Sequence, residues 1–437
     1  MWQYLPMNVA RLLLQIAVIL AACRVLHSVL RRMGQPPVIG EIVAGLLLGP
    51  SLLGWLAPSW YASLFAPDSL PLLNSLSQVG LVLFMFVVGL RLDLQEVRES
   101  RHVAGLAGLL SIIVPFVAGL GLARPLHALV PEAPALLFSL FLAVSMSITA
   151  FPVLARILTD QGLTGTRLGQ VAITCAALND LVAWTLLAWI SALAQSGGEA
   201  ASVISTVGLL VGYGVLMIYG VRPAFAWLTH RFQAAGELPV ILVMAFLSSW
   251  ATEKIGIHAL FGAFFAGAIL PRGKDDASRR RVDEAAAKLE PITMVVLIPL
   301  FFAYTGLRTN LSLIGGSEAW VYTLAIIAVA VVGKVGGALL GGTILRFGVR
   351  DSLALGVLLN TRGLVELIVL NVGLDLGILS PSLFSMMVLM AVTTTLMAVP
   401  GLKIVLRMPS HTGRPVFGVA GQIFGRRESA GQSSSGF

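Results

Sequence analysis

One acidic residue, Asp180, lies in the middle of a long apolar stretch, Ala-Ala-Leu-Asn-Asp-Leu-Val-Ala-Trp at 176–184. A charge at bilayer depth costs at least ~2.5–3.5 kcal/mol on insertion scales, so its presence needs a reason. A carboxylate withheld from water can hold either a proton or a bare monovalent cation, but not both. This mutual exclusion is the physical basis of exchange. We therefore interpret Asp180 as a transient site for a proton or a monovalent metal ion, the alternative being a structural carboxylate paired with a nearby cation.

The residue before it, Asn179, is neutral. Its side-chain carbonyl oxygen could bind the cation, or the residue could only hold the aspartate in place, and the sequence favours neither. Its neutrality bears on stoichiometry. With one titrating carboxylate, one proton should exchange for one cation, with no net charge moved.

Lys334 lies between small residues in Val-Val-Gly-Lys-Val-Gly-Gly at 331–337, which allow close helix packing. Its amine could snorkel to an interface if the helix were peripheral. A central helix would instead give it a partner on a facing helix, with Asp180 or Glu366 the candidates, and the lysine could itself take part in coupling.

Two stretches carry signals that interrupt a helix. The first, at 145–156, contains Ser147 and Thr149 followed by Pro152, and proline in a helix interior frees a backbone carbonyl. A simple proline kink is the alternative for this stretch. The second is Asn-Thr-Arg-Gly-Leu-Val-Glu-Leu at 360–367. There we expect Arg362 to cap an exposed carbonyl end and Glu366 to balance its charge.

Composition shows where these residues must lie. Of the 437 residues, 57% are hydrophobic and only 11% are charged, and the mean hydropathy is +0.90. A soluble chain carries about 25% charged residues, so most of this surface must face hydrocarbon. The sequence predicts an all-α polytopic membrane protein with about thirteen spans: 8–30, 37–57, 74–92, 103–124, 135–158, 167–194, 203–229, 238–253, 256–271, 289–307, 318–345, 352–374 and 381–406.

The loop charges predict the orientation. With the amino terminus outside, 22 Lys and Arg residues fall on the cytoplasmic side and 4 on the outer side. The basic residues are spread over short loops and form no nucleic-acid patch. We therefore expect a multi-pass protein of the inner cell membrane, with residues 1–407 in the bilayer domain and a short disordered cytoplasmic tail at 408–437.

Two segments resemble each other. Residues 83–94 and 300–311 share Gly-Leu-Arg in register, and a weaker echo joins 40–45 to 262–267. Seven predicted spans separate the two Gly-Leu-Arg copies, so the copies end on opposite faces of the membrane. This parity predicts two inverted-topology repeats, in which the interrupted spans five and twelve are the crossed discontinuous helices.

Three motifs together resemble the monovalent cation:proton antiporter superfamily, close to its plant and fungal cation/H+ exchanger branch. They are 147–158, Asn179-Asp180 and 360–367, within a resemblance over about 8–406. The resemblance implies that Asp180 is the ion-binding aspartate and Lys334 the membrane-embedded basic residue. It also implies that Thr149 and its neighbours form the unwound stretch of the first crossed helix.

The resemblance also implies two sliding parts and a homodimer. The core domain would include 103–194 and 318–406, and the dimerisation domain would include 8–57 and 203–271. Asn179 stands where the electrogenic branch has a second aspartate, which puts electrogenic exchange in doubt. The nucleotide-binding regulatory domain of Kef-type systems is missing from this sequence.

The sequence therefore favours a secondary antiporter that exchanges Na+ or K+ for protons, with no cofactor. A cation channel would need a continuous polar pore and no titrating switch. A sodium-coupled organic-anion symporter on a related fold would need further polar groups to bind its anion. No nucleophile motif or metal-ligand spacing supports an enzyme.

Overall fold

The computed structural model describes residues 5–91, 101–195, 200–224, 237–255, 258–270, 284, 286–344 and 347–408. The predicted tail lies outside this part of the chain except for Met408. The α-helices, numbered in chain order, are α1 (Leu5–Arg32), α2 (Pro37–Leu48), α3 (Leu53–Leu56), α4 (Pro58–Leu64), α5 (Leu70–Arg91), α6 (Arg101–Leu126), α7 (Ala135–Ser147), α8 (Phe151–Asp160), α9 (Arg167–Gln195), α10 (Ala200–Val215), α11 (Glu237–Ile255), α12 (Ala259–Ile269), α13 (Ile298–Arg308), α14 (Gly316–Ile344), α15 (Val349–Leu359), α16 (Leu364–Asp375) and α17 (Pro381–Arg407).

The described residues form helices and connecting turns, with no β-strand among them. In the part of the chain that the structure describes, ten helical spans are long and apolar enough to cross a membrane, or eleven if one bent pair counts as a span. Two shorter apolar helices, Gly208–Ala224 and Ala259–Ile269, accompany them. The all-helical membrane fold is confirmed, whereas the count of thirteen spans stays a prediction.

Both predicted interruptions are present. The first separates α7 from α8 at residues 148–150, and the second separates α15 from α16 at 360–363, where the two axes differ by 46°. Pro152 is the second residue of α8 and does not kink a helix interior. Its missing N–H is harmless there, because the first amides of a helix have no partner within it. The break therefore precedes the proline.

The two echoed glycine segments contact each other crosswise. Gly45 of α2 packs on Gly306 of α13, where a Cβ on Gly306 would lie 2.5 Å from the Gly45 carbonyl carbon. Gly267 of α12 packs on Gly89 of α5, where a Cβ on Gly267 would lie 3.1 Å from the Gly89 carbonyl carbon. Thus the segment 40–45, early in the first half, contacts the segment 300–311, late in the second half. In the same way, 83–94, late in the first half, contacts 262–267, early in the second half. Two repeats related by a two-fold axis produce this exchange of partners.

A second close packing joins α6 to α14. A Cβ on Gly333 would lie 2.9 Å from Pro115, and one on Gly341 would lie 2.6 Å from the Ala107 Cα. Later residues of α14 therefore meet earlier residues of α6, so the two helices run antiparallel. Small residues let the backbones approach where helices in a membrane must associate by packing alone.

We expect Gly306→Ala to lower the thermal unfolding midpoint of the purified protein, because its methyl group would overlap the α2 backbone. Overpacking of this kind costs about 1–3 kcal/mol. Gly212→Ala is the matched control, since no atom lies within 4 Å of its Cβ position. That substitution should leave stability equal or higher, because alanine favours a helix. Equal unfolding midpoints for the two variants would contradict the close contact of α2 with α13 at Gly306.

Candidate functional site

The two interruptions cross and bond to each other. The backbone N–H of Ala150 donates to the Thr361 carbonyl oxygen at 2.9 Å. The Thr149 hydroxyl donates to the Leu359 carbonyl oxygen at 2.7 Å. The crossing is tight, since a Cβ on Gly363 would lie 2.6 Å from Val153. Each break thus satisfies part of the backbone that the other leaves open.

Two basic side chains meet the carbonyl end of α7. The Arg362 guanidinium donates to the carbonyl oxygens of Ser145 at 2.5 Å and Met146 at 2.6 Å. The Lys334 amine donates to the Ser147 carbonyl oxygen at 2.5 Å. Both side chains are fully buried. Because the carboxyl end of a helix carries partial negative charge, two cations there are electrostatically favourable.

The two acids lie at the opposite kind of helix end. The Asp180 carboxylate, on α9, lies near the backbone N–H of Phe151, the first residue of α8, and interacts favourably with it. Glu366 lies in the first turn of α16 and bonds Arg362 at 2.7 Å and the Ser145 hydroxyl at 2.6 Å. Amino ends of helices favour negative charge, so the two acids match the amino ends of α8 and α16, as the two cations match the carboxyl end of α7.

Thr149 links the lysine to the residue beside the aspartate. Its hydroxyl oxygen accepts from the Lys334 amine at 2.7 Å and from the Asn179 amide at 3.0 Å. The Asn179 amide also donates to the Ser111 hydroxyl at 3.2 Å. Lys334 therefore meets oxygen atoms of Ser147 and Thr149 on a facing segment, and among the described ion pairs it bonds neither carboxylate.

Three side-chain oxygens at the crossing are buried and, within the described residues, accept no hydrogen bond: Oδ1 of Asp180, of Asn179 and of Asn360. Asp180 is 9% exposed, whereas Lys334, Arg362 and Glu366 are at 0%. Of the four ionisable groups at the crossing, Asp180 is thus the one that keeps some exposed surface. A buried oxygen without a donor is a ready ligand for a proton or a hard cation.

The structure brings every sequence-predicted residue to this crossing, but one does not use the atom expected of a ligand. The Ser147 hydroxyl bonds the carbonyl oxygens of Ala143 and Ile112, so only the Ser147 carbonyl faces Lys334. Sequence reasoning missed Thr395, whose hydroxyl bonds both the N–H and the carbonyl oxygen of Arg362. Its place in Thr-Thr-Thr at 393–395 of an apolar span was the available signal.

A helical membrane protein with two crossed interrupted helices and an available buried carboxylate belongs to the class of secondary transporters. The sequence model described as "Sodium/hydrogen exchanger, transmembrane" matches residues 16–408. The chain belongs to this family. Its members are antiporters and not enzymes, and the resemblance read from the three motifs is confirmed.

Three curated relatives show the range of the similarity. The Na(+)/H(+) antiporter NhaS4 of Synechocystis is 40% identical over 92% of this chain and 98% of its own length. Cation/H(+) antiporter 20 of Arabidopsis thaliana is 38% identical over 94% of this chain, and K(+)/H(+) antiporter 1 of Saccharomyces cerevisiae is 33% identical over 89%. The chain spans 50% and 45% of those two relatives.

The fold has a solved counterpart. The sodium proton antiporter MjNhaP1 from Methanocaldococcus jannaschii superposes with a TM-score of 0.64, over 91% of this chain and 99% of that one. The sequences are 12% identical, so the likeness establishes the architecture alone.

We expect Thr149→Val to destabilise the protein and impair transport, because it removes the hydroxyl shared by Lys334, Asn179 and Leu359. Each buried polar group left unpaired costs about 1–3 kcal/mol. Thr149→Ser keeps the hydroxyl and is the matched control. Thermal unfolding midpoints and initial exchange rates of the two variants, measured side by side, check this. Equal loss of stability and rate in both variants would argue against a role for the hydroxyl group.

Proposed function

We propose that this chain exchanges a monovalent cation, Na+ or K+, for protons, and that Asp180 holds the two by turns. The observation that carries the proposal is the Asp180 carboxylate at the crossing: its Oδ1 is buried and accepts no hydrogen bond within the described residues, while the residue as a whole keeps 9% of its surface exposed. Relatives named for sodium and for potassium both support an exchanger of monovalent cations. A channel or an anion symporter has no such support.

The proposed stoichiometry is one proton for one cation. Glu366 is fully buried, accepts from Arg362 and Ser145, and has no room to trade its partners for a transported ion. Asn179 supplies an oxygen but no titrating charge. One exchangeable carboxylate therefore remains, which makes the cycle electroneutral.

Alternating access is proposed to occur by sliding of two packed bodies, the predicted core and dimerisation domains. The close glycine packings support this division. Among the described residues, approaches shorter than 3.0 Å between helices fall into two sets. The first joins α2, α5, α11, α12 and α13 to one another or to the helical segment Thr293–Leu297 before α13. The second joins α6, α7, α8, α14, α15 and α16, or the break before α16, to one another. None crosses between the two sets, so each can move as a unit. The first set is called the scaffold body below and the second the transport body.

The remaining parts of the proposal concern context. We place the protein in the inner cell membrane as a homodimer, with its amino terminus outside and its carboxyl terminus in the cytoplasm. The distribution of Lys and Arg over the loops supports this orientation. The family supports the multi-pass membrane setting.

Asp180→Asn should abolish cation-driven proton movement in everted vesicles, because the amide cannot bind a proton or charge-balance a cation. The variant should reach the membrane in normal amounts, since asparagine has nearly the shape of aspartate and the Asp180 Oδ1 accepts no hydrogen bond within the described residues that the change would remove. Dequenching of a pH-sensitive dye on adding Na+, K+ or Li+ is the measurement. Full activity in this variant would show that Asp180 is not the exchange site.

Asn179→Asp should make exchange sensitive to membrane voltage, because a second carboxylate beside Asp180 allows more than one proton per cation. Exchange rates in proteoliposomes with and without an imposed potassium diffusion potential test this. Asn179→Ser is the control that changes the side chain without adding charge. Voltage-independent flux in an active Asn179→Asp variant would count against the one-carboxylate argument.

A further inference from the structure

A network of polar contacts joins the scaffold body to the transport body away from the crossing. Arg308, the last residue of α13, donates to the Asp375 carboxylate at 2.6 Å and to the Asn371 side-chain oxygen at 2.9 Å, both on α16. The Asn371 amide donates in turn to the Thr305 hydroxyl on α13 at 2.9 Å. Two residues of each helix are thus bound across the boundary.

The helices that carry this network belong to different bodies. Gly306 of α13 packs against Gly45 of α2, within the scaffold body. Gly373 of α16 packs against the ring of Phe141 on α7, within the transport body, where a Cβ would lie 2.2 Å from the ring. A sliding motion of one body past the other must therefore break the contacts of Arg308.

The corresponding helix of the first half of the chain, α8, ends in the same way. Helices α8 and α16 both end in an Asp-x-Gly sequence, with Gly162 at φ +67° and Gly377 at φ +70° and the same pattern of backbone hydrogen bonds. In α8 the acid, Asp160, pairs with Arg156 of its own helix at 3.0 Å.

The two helix ends differ at the position that faces the terminal acid one turn earlier. Four positions before the terminal acid, α8 carries Arg156 and α16 carries Asn371. Arg156 balances the charge of Asp160 within the transport body, and this pairing does not depend on the position of the transport body relative to the scaffold body. Asparagine leaves the charge of Asp375 to be balanced from the scaffold body, by Arg308.

We propose that Arg308, Asn371 and Asp375 form a latch that selects which face of the membrane the Asp180 site opens to. The latch is made in the conformation described here and is broken when the transport body slides. It acts as a set of positioning residues and does not touch the transported ion. This inference rests on the proposed exchange by two sliding bodies.

The expected effect is modest and has a direction. The Arg308 and Asp375 side chains are 22% and 50% exposed, and partly exposed ion pairs contribute about 0.2–1 kcal/mol. Losing the latch lowers the population of the present conformation, and apparent affinity at a face scales with the population of the state open to it. The ratio of apparent KM for the cation at the two faces should therefore shift by about 1.4- to fivefold.

The experiment measures cation KM and maximal rate in right-side-out and in everted vesicles for Arg308→Gln and Asp375→Asn. Both variants should move the KM ratio between faces in the same direction. A merely structural role would lower the maximal rate on both faces and leave the ratio unchanged. The exchanged pair, Arg308→Asp with Asp375→Arg, should return the ratio toward the native value, which keeps the test decisive if one single variant folds poorly.

Two controls use charges that do not cross the boundary. Asp160→Asn changes the corresponding acid of the first half, and Arg11→Gln removes a pair with Asp68 at 3.2 Å. Both should keep the native ratio. An unchanged ratio in Arg308→Gln and Asp375→Asn, or an equal shift in Asp160→Asn, would overturn the latch. Activity in Asp180→Asn would instead overturn the proposed site, and the two failures are therefore distinguishable.

Discussion

The backbone at the two helix interruptions is the constraint on which the rest of this structure depends. A helix that stops inside a membrane leaves carbonyl and amide groups where no lipid can hydrogen-bond to them, so the protein must satisfy them itself. Here Arg362 and Lys334 take the carbonyl end of α7, and Asp180 and Glu366 lie at the amino ends of α8 and α16. The cluster thereby carries two formal positive and two formal negative charges.

Such a balanced cluster explains how a cation can enter without a large electrostatic penalty. In the proposed exchange, a metal ion that arrives at Asp180 restores the same charge that a departing proton removes. The two cations at α7 are held by backbone oxygens as well as by charge. Local environment separates the two carboxylates: Glu366 is fixed by two donors, while Asp180 keeps an oxygen free.

The sequence was sufficient for the elements and for the chemical types at the site. Predicted spans such as 318–345 and 381–406 correspond closely to Gly316–Ile344 and Pro381–Arg407, since apolar length and loop charges are local signals. The breaks were also predictable, from polar and glycine residues inside apolar runs. What could not be predicted is which atoms meet. The role of Thr149 between Lys334 and Asn179 depends on three helices packing together, and no linear spacing encodes it.

The crosswise glycine contacts have a consequence for how the chain is made. Gly45 is synthesised early, but its partner Gly306 follows only after about 260 further residues, which takes some tens of seconds at about 5–20 residues per second. Until then the small-residue face of α2 has no native neighbour, although α2 has already left the ribosome. The two halves are interlaced, so neither completes its packing alone. Assembly in the bilayer must wait for the end of translation, and a truncated chain would expose these faces to the quality-control machinery.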